Sequence, residues 1–399
     1  MSLLPIVALA GGVGGAKLAD GLYRLLPPGA LAVVVNTGDD LYMSGLRVCP
    51  DLDSVLYTLS GLADPVQGWG IKGDTGATRE ALGRLGAPTW FWLGDQDIAT
   101  HIRTTERLSE GATLTTVMGE LTDALGVTAQ LLPMCDEFVR TRVHTPDGVL
   151  DFQDYFVRRG HRDTVLRFEF AGLAEARVTP EACAAIANAS AIVLCPSNPF
   201  VSVGPILDVP GMRAALSGAG VPIVAVSPIV AGQALRGPAA AMLTALGHET
   251  SARGVARLYQ GFAHGFVLDE ADRALAPAIE GLGLRVLVTP AVMRSFDDRR
   301  QLATATLAFA ASLTPHPMAN WSLGCGRRPS APLPDAGANP YPHLSAVAED
   351  ERRDTSRSDR PGAGSPARAR SRRAGRRGRA RGSRPTARSS APPAPAGAG

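Results

Sequence analysis

Lysine is nearly missing from this 399-residue chain: of 40 basic residues only Lys17 and Lys72 are lysines, and both sit in glycine-rich segments. Where arginine is the default cation, a retained lysine suits a site that wants a compact point charge on a phosphate, although two instances also fit chance. Cysteine is scarce as well. The five, Cys49, Cys135, Cys183, Cys195 and Cys325, are odd in number and form no C-x-x-C pair, which argues against structural zinc and fits a reducing cytoplasm. No apolar run reaches bilayer length, so no membrane insertion is expected. No basic region precedes the first short apolar run, so residues 3–10 read as a strand rather than a signal peptide.

Large apolar residues also give out near Thr314, where the text turns to Pro, Gly, Ala, Ser and Arg. Residues 315–399 therefore read as a disordered tail, and residues 1–314 as one folded domain with an insertion. The charge divides accordingly. Residues 327–399 hold 16 arginines against 6 acidic residues, and the rest of the chain 24 basic against 31 acidic. A basic appendage on an acidic body points away from a nucleic-acid-binding fold, and no specific nucleic-acid partner is expected.

What is present is alternation. Aliphatic, β-branched runs at residues 6–10, 31–36, 90–93, 191–195, 223–226, 266–269 and 286–289 read as strands. Between them helical patterns run at 15–26, 51–59, 78–85, 98–108, 115–125, 180–188, 212–216, 239–246 and 299–311. This is an α/β fold, a Rossmann-like, mostly parallel sheet with helices on both faces, whose ligands gather at the carboxyl ends of the strands. Between residues 133 and 170 the rhythm changes to a hairpin around the turn at 145–148 and an aromatic, basic stretch, read as an inserted subdomain or lid. No internal repeat is found.

Two turns carry the chemistry. After the first strand comes Gly11-Gly-Val-Gly-Gly-Ala-Lys17, matching neither the dinucleotide fingerprint nor a Walker A loop. Its glycines bring backbone amides to a helix N-terminus, where Gly12, Gly14, Gly15 and Lys17 could hold an anion; a tight turn for close packing is the alternative. After the second strand comes Asn36-Thr-Gly-Asp-Asp40, joined by Pro50-Asp-Leu-Asp53. Asp39, Asp40, Asp51 and Asp53 read as a cluster that a Mg2+ ion would relieve, with Asp40 and Asp53 as the candidate catalytic pair. Helix capping is the competing reading, better for Asp51 than for Asp53.

Trp69-Gly-Ile-Lys72 and Trp92-Leu-Gly-Asp-Gln-Asp-Ile-Ala-Thr-His101 are loops opening helices, and Trp69 and Trp92 suit a planar ring ligand with Lys72 beside it. His101 alone reads as a helix histidine. The later strands end in Cys195-Pro-Ser-Asn-Pro199 and Ser227-Pro-Ile229, placing Ser197, Asn198 and Ser227 at the crevice. Asn198 could read a nucleobase edge or simply make a turn.

Taken in order with Gly70–Thr75, Leu93–His101, Asp151–Phe156, Val226–Ile229 and Gly237-Pro238, these motifs closely resemble the CofD/FbiA family of 2-phospho-L-lactate transferases from about residue 5 to residue 312. The tail has no counterpart in the family pattern.

The resemblance implies a step in coenzyme F-420 synthesis. FO, a deazaflavin, would receive a 2-phospholactyl or phosphoenolpyruvyl group on its terminal ribityl hydroxyl from a guanosine diphospho-linked donor, with GMP leaving and Mg2+ assisting. It further implies a homodimer and a deazaflavin contact at Asp53. Where some relatives place a basic deazaflavin contact this chain has Trp92, so a contact there would be stacking. Ser197 and Asn198 would meet the guanosine end. The first two turns are also similar to YvcK-type regulators, which bind nucleotide sugars without this chemistry; the middle motifs favour the transferases.

Overall fold

The computed structural model describes residues 5–314; the tail expected at 315–399 lies outside the described residues. Seven short parallel strands form the central sheet: β1 (Ile6–Ala10), β2 (Leu31–Val35), β3 (Gln130–Pro133), β4 (Ala191–Leu194), β5 (Ile223–Val226), β6 (Gly265–Leu268) and β7 (Arg285–Val288). Their order is β7-β6-β5-β4-β1-β2-β3. Ile6 registers with both Leu31 and Ala191, so β1 is central.

Runs such as Ile-Val-Ala-Leu-Ala and Leu-Ala-Val-Val-Val are buried along their whole length, as a sheet covered on both faces requires. Alternate residues feed opposite cores. Val7 and Leu9 join Val34, Ile192, Phe168 and Phe200 on one face; Ala8 and Ala10 join Val33, Val193, Leu52 and Leu302 on the other. The second face is covered by α1 (Gly12–Leu25), α2 (Pro50–Leu59) and the helix Phe296–Ala311. Helix α1 meets that last helix so closely that a Cβ on Gly21 would lie 2.3 Å from Arg299 O. Buried Asp20 joins the two, 2.8 Å from Arg24 and 2.9 Å from Arg299.

The chain winds from β1 to β2 and β3, then returns past β1 to build β4 to β7. That reversal opens a crevice beyond the carboxyl ends of β1 and β4. Helices α3 (Ala77–Arg84), α4 (Asp95–Ser109) and α5 (Leu114–Ala124) follow on the β2 side. Residues 140–171 contain a separate antiparallel sheet of Arg140–Thr145, Gly148–Asp151 and Arg167–Ala171, with a single π-turn at Asp154–Arg158. Val143, Phe152, Tyr155 and Phe168 anchor it in the first core.

Two expectations need correction. Residues 90–93 are not a strand but an irregular stretch that lines a cavity, with Trp90 and Phe91 also packed against a small cluster of Leu93, Met43 and Val48. The edge strand β3 was not expected. It has only four residues and ends in Pro133, a residue tolerated on a sheet edge where no further strand needs its N–H.

Candidate functional site

A cavity of about 620 Å³ opens over the crevice. The turns after β1, β2, β4, β5 and β7 supply its floor through Gly11–Gly14, Asp39, Pro196–Asn198, Ser227 and Ala291. Helices α2 and α4 supply one wall with Asp51, Asp53, Tyr57, Asp97 and His101. Trp69, Trp90, Phe91 and Trp92 line it further, and Phe152, Gln153 and Phe156 reach it from the inserted sheet. Gln153 Nε2 donates to the Asp39 carbonyl at 3.2 Å, fastening that subdomain to the acidic turn.

The glycines of the first turn answer first to packing. A Cβ on Gly14 would lie 2.4 Å from Pro196 O, and one on Gly15 would lie 2.5 Å from Ser197 Oγ. Gly12 adopts φ +63°, a left-handed conformation favouring glycine. Gly15 does not line the cavity. Of the four amides that open α1 without helical acceptors, Gly11 N–H donates to Ser197 Oγ at 3.1 Å and Gly12 N–H to Asp51 Oδ1 at 2.7 Å. The Gly12 N–H is therefore already bonded to a carboxylate, and the Val13 and Gly14 amides are those left for a ligand. Lys17 lies one turn on, its Nζ donating to Met293 O at 3.1 Å. Burial, then Arg299 and Arg236, hold its pKa below the ordinary value.

The four aspartates do not converge as one cluster. Among the described residues no group of three His, Cys, Asp or Glu side chains is assembled for a metal. Asp51 accepts from Gly12 and, through Oδ2, from Asn36 Nδ2 at 2.9 Å. It thus caps α1 from a neighbouring helix. Asp53 Oδ2 accepts from Cys49 N–H at 3.2 Å and caps its own helix, the reverse of the capping expectation. Asp40 does not line the cavity: Arg47 Nη2 donates to its Oδ2 at 2.6 Å, beneath the site. Asp39 does face the cavity, with Oδ1 buried and without a hydrogen-bond partner among the described residues.

Burial pushes all four carboxyls up. Asp40 rises to about 6 against the opposing pull of Arg47, and Asp51 to about 6 against its hydrogen bonds from Asn36 and Gly12. Asp53 reaches about 7, burial outweighing the stabilising charge of His101. Asp39 is raised well above the carboxylate range by burial and by Asp51. Several buried acids with so little cationic compensation leave the region short of positive charge.

A second constellation was missed in the sequence. His101 places Nδ1 3.8 Å from Asp53 Oδ2 and Nε2 3.3 Å from Asp97 Oδ1, and Tyr57 OH donates to Asp97 Oδ1 at 2.7 Å. Burial opposes the charged imidazole, yet Asp53 and Asp97 more than offset it, so its pKa is raised. The one available signal was the i, i+4 spacing of Asp97 and His101 on α4. Their link to Asp53 and Tyr57 is tertiary.

Trp69 and Trp92 border the cavity, each about two-fifths exposed, and Arg79 stacks on Trp92 at 4.8 Å. Lys72 is exposed and lies outside the lining. Ser197 and Asn198 both line the cavity. Ser197 Oγ already accepts from Gly11. Asn198 Oδ1 accepts from Phe200 N–H at 2.9 Å and Nδ2 lies 3.1 Å from Met242 Sδ, which satisfies the turn reading first. Ser227 Oγ is likewise closed on its own turn, donating to Ile229 O at 2.8 Å.

A parallel α/β sheet whose switch point joins a helix N-terminus, a lysine and buried carboxylates under an aromatic wall suits a small ligand with an anionic part and a planar part. The chain belongs to the 2-phospho-L-lactate transferase CofD family, which it matches over residues 6–278, and is a transferase. It is 40% identical over 298 residues to a 2-phospho-L-lactate transferase of Methanosarcina barkeri, covering 75% of this chain and 96% of that one. It is also 40% identical over 311 residues to a phosphoenolpyruvate transferase of Streptomyces griseus, covering 76% and 98%. Among solved structures, a UPF0052-family protein of Bacillus halodurans shares the fold with a TM-score of 0.53 at 16% identity, covering 77% of this chain and 99% of that one. Among the described residues no helix is long and apolar enough to cross a membrane.

Proposed function

We propose that the chain transfers a 2-phospholactyl or phosphoenolpyruvyl group from a guanosine diphospho-linked donor to the terminal ribityl hydroxyl of FO, in the synthesis of coenzyme F-420. The observation that carries this reading is one cavity lined both by a helix N-terminus beside Lys17, suited to an anion, and by an aromatic wall beside the Asp53–His101 pair. The relatives named above for phospholactate and phosphoenolpyruvate support it.

The acceptor hydroxyl attacks the phosphorus that bears the lactyl or enolpyruvyl group. The bond from that phosphorus to the bridging oxygen breaks, and GMP leaves with the electron pair. The hydroxyl proton passes to Asp53, beside which His101 lies, with Asp97 on the far side of His101 and itself held by Tyr57. The Val13 and Gly14 amides and Lys17 hold the diphosphate, so positioning and fixed charge do most of the catalysis. Trp69 and Trp92 flank the deazaflavin ring.

Asp39 and Asp51 suit a divalent cation. Both are hard oxygen donors facing the cavity, Asp39 has an unpartnered buried Oδ1, and Mg2+ commonly takes one or two carboxylates together with substrate phosphates. Bound there, Mg2+ would neutralise charge on the diphosphate.

The test is a transfer assay with D53N alongside the native protein. The isosteric amide keeps the shape of the site but cannot take the proton, so transfer should fall at least about 100-fold with binding of donor retained. Near-native turnover would remove Asp53 from the chemistry.

A further inference from the structure

Two cations border the cavity beside the start of α1, and both are held by carbonyl oxygens. Lys17 Nζ is on Met293 O. Arg236 donates through Nη1 to Gln67 O and through Nη2 to Val66 O, the latter at 3.2 Å. Those carbonyls belong to a loop closed by the Ala63–Ile71 bridge, and the same loop carries Trp69 into the cavity lining. At its bend Gly68 has φ +78°, and a Cβ there would lie 2.8 Å from Arg236 Nη1 and 3.0 Å from Val13 Cγ1. Loop, arginine and the first turn of α1 therefore meet at one point. A guanidinium has five N–H donors, so two carbonyls leave it others to give. Arg236 is exposed, lines the cavity and makes no ion pair among the described residues.

We propose that Arg236 is a positioning residue that couples the two substrates: its remaining N–H groups bind the donor's diphosphate while Nη1 and Nη2 keep the Trp69 loop closed over the acceptor. This rests on the donor reading above. Planar, forked donors can serve a phosphate and two carbonyls together, whereas a lysine ammonium offers one point of charge. Binding of the anion thus stiffens the loop that presents Trp69, and the donor prepares the acceptor's place.

The two lysines give this a readout besides activity. Lys72 is exposed and directly follows the loop, its N–H bonded to Leu62 O, whereas Lys17 lies within α1. Cleavage by a lysine-specific protease at Lys72 therefore reports opening of the loop. With the full chain, saturating inorganic pyrophosphate or GDP should slow cleavage at Lys72 about fivefold or more. In R236Q, calorimetry should give pyrophosphate binding weakened about tenfold, and saturating ligand should no longer protect Lys72. R236K should recover pyrophosphate affinity to within about threefold, yet keep a lowered transfer kcat because it cannot hold both carbonyls. Equal protection of R236Q and the native chain at saturation overturns the proposal. A native chain that binds GDP and performs transfer without protecting Lys72 overturns the coupling alone. One that binds neither pyrophosphate nor GDP overturns the donor reading, and the coupling with it.

Discussion

The Gly12 amide donates to Asp51 Oδ1 at 2.7 Å, so the start of α1 is capped by a carboxylate from the first turn of α2. That bond makes the two motifs after β1 and β2 one structure. The other Asp51 oxygen accepts from Asn36, whose Nδ2 also reaches Val201 O at 3.1 Å, tying in the segment after β4. Replacing Asp51 with Ala takes the acceptor from the Gly12 N–H and from one N–H of Asn36 Nδ2, while the other keeps Val201 O. We expect a loss of about 1–3 kcal/mol in denaturant unfolding, together with weakened donor binding. Unchanged stability would show that water replaces the cap without cost.

The glycine turn offers a test of packing against ligand binding. A Cβ at Gly14 would meet Pro196 O, which is backbone and cannot swing aside. G14A should destabilise the chain by about 1–3 kcal/mol and lower transfer, because α1 must shift relative to β4. Gly119, inside α5 with nothing within 4 Å of its Cβ position, is the control. G119A should be stabilising by about 0.5–1 kcal/mol, as expected for alanine in a helix interior. Both are read from urea unfolding.

The buried acids set a pH dependence of the ligand-free protein. Asp53 rises on folding from the ordinary carboxylate value to about 7, so between those pH values the folded state binds more protons than the unfolded one. Stability then falls as pH rises through that window. His101 is also raised, and its contribution is likewise lost as pH climbs through its folded pKa. The melting temperature should therefore drop between pH 5 and pH 8, and D53N should flatten the drop, on the order of 1 kcal/mol per pH unit for a single group. A melting temperature that rises across the same range would contradict the charge state assigned to the site.

The Asp39 reading is tested by metal titration. Mg2+ should raise the melting temperature at pH 8, where ionised buried carboxylates repel most, and the rise should vanish in D39N. An equal rise in D39N would place the cation elsewhere.

Much of this architecture is legible in residue order. Strands such as 6–10, 31–35 and 223–226 are continuous aliphatic runs because both faces of the sheet are covered, and their glycine, acidic and proline-bearing ends mark the crevice. What composition could not reveal was pairing. Asp40 and Asp39 are adjacent, and each keeps one buried oxygen without a partner among the described residues, yet Asp40 turns down to Arg47 and Asp39 faces the cavity. Tyr57 and Asp97 are forty residues apart in sequence and share a 2.7 Å hydrogen bond. Residues 90–93 have strand-like composition but line a cavity, since aromatic character serves a ligand wall as well as a sheet.

The most direct measurement is fluorescence-detected chromatography of the full chain with FO, Mg2+ and the lactyl or enolpyruvyl guanosine diphospho-linked donor, with and without EDTA. The account predicts a new, more anionic deazaflavin peak formed in equal amount with GMP, lost on chelation, the productive donor identifying the acid. Tight binding of these donors with neither product formed would contradict it, and would place the chain with nucleotide-sugar-binding regulators of the YvcK type.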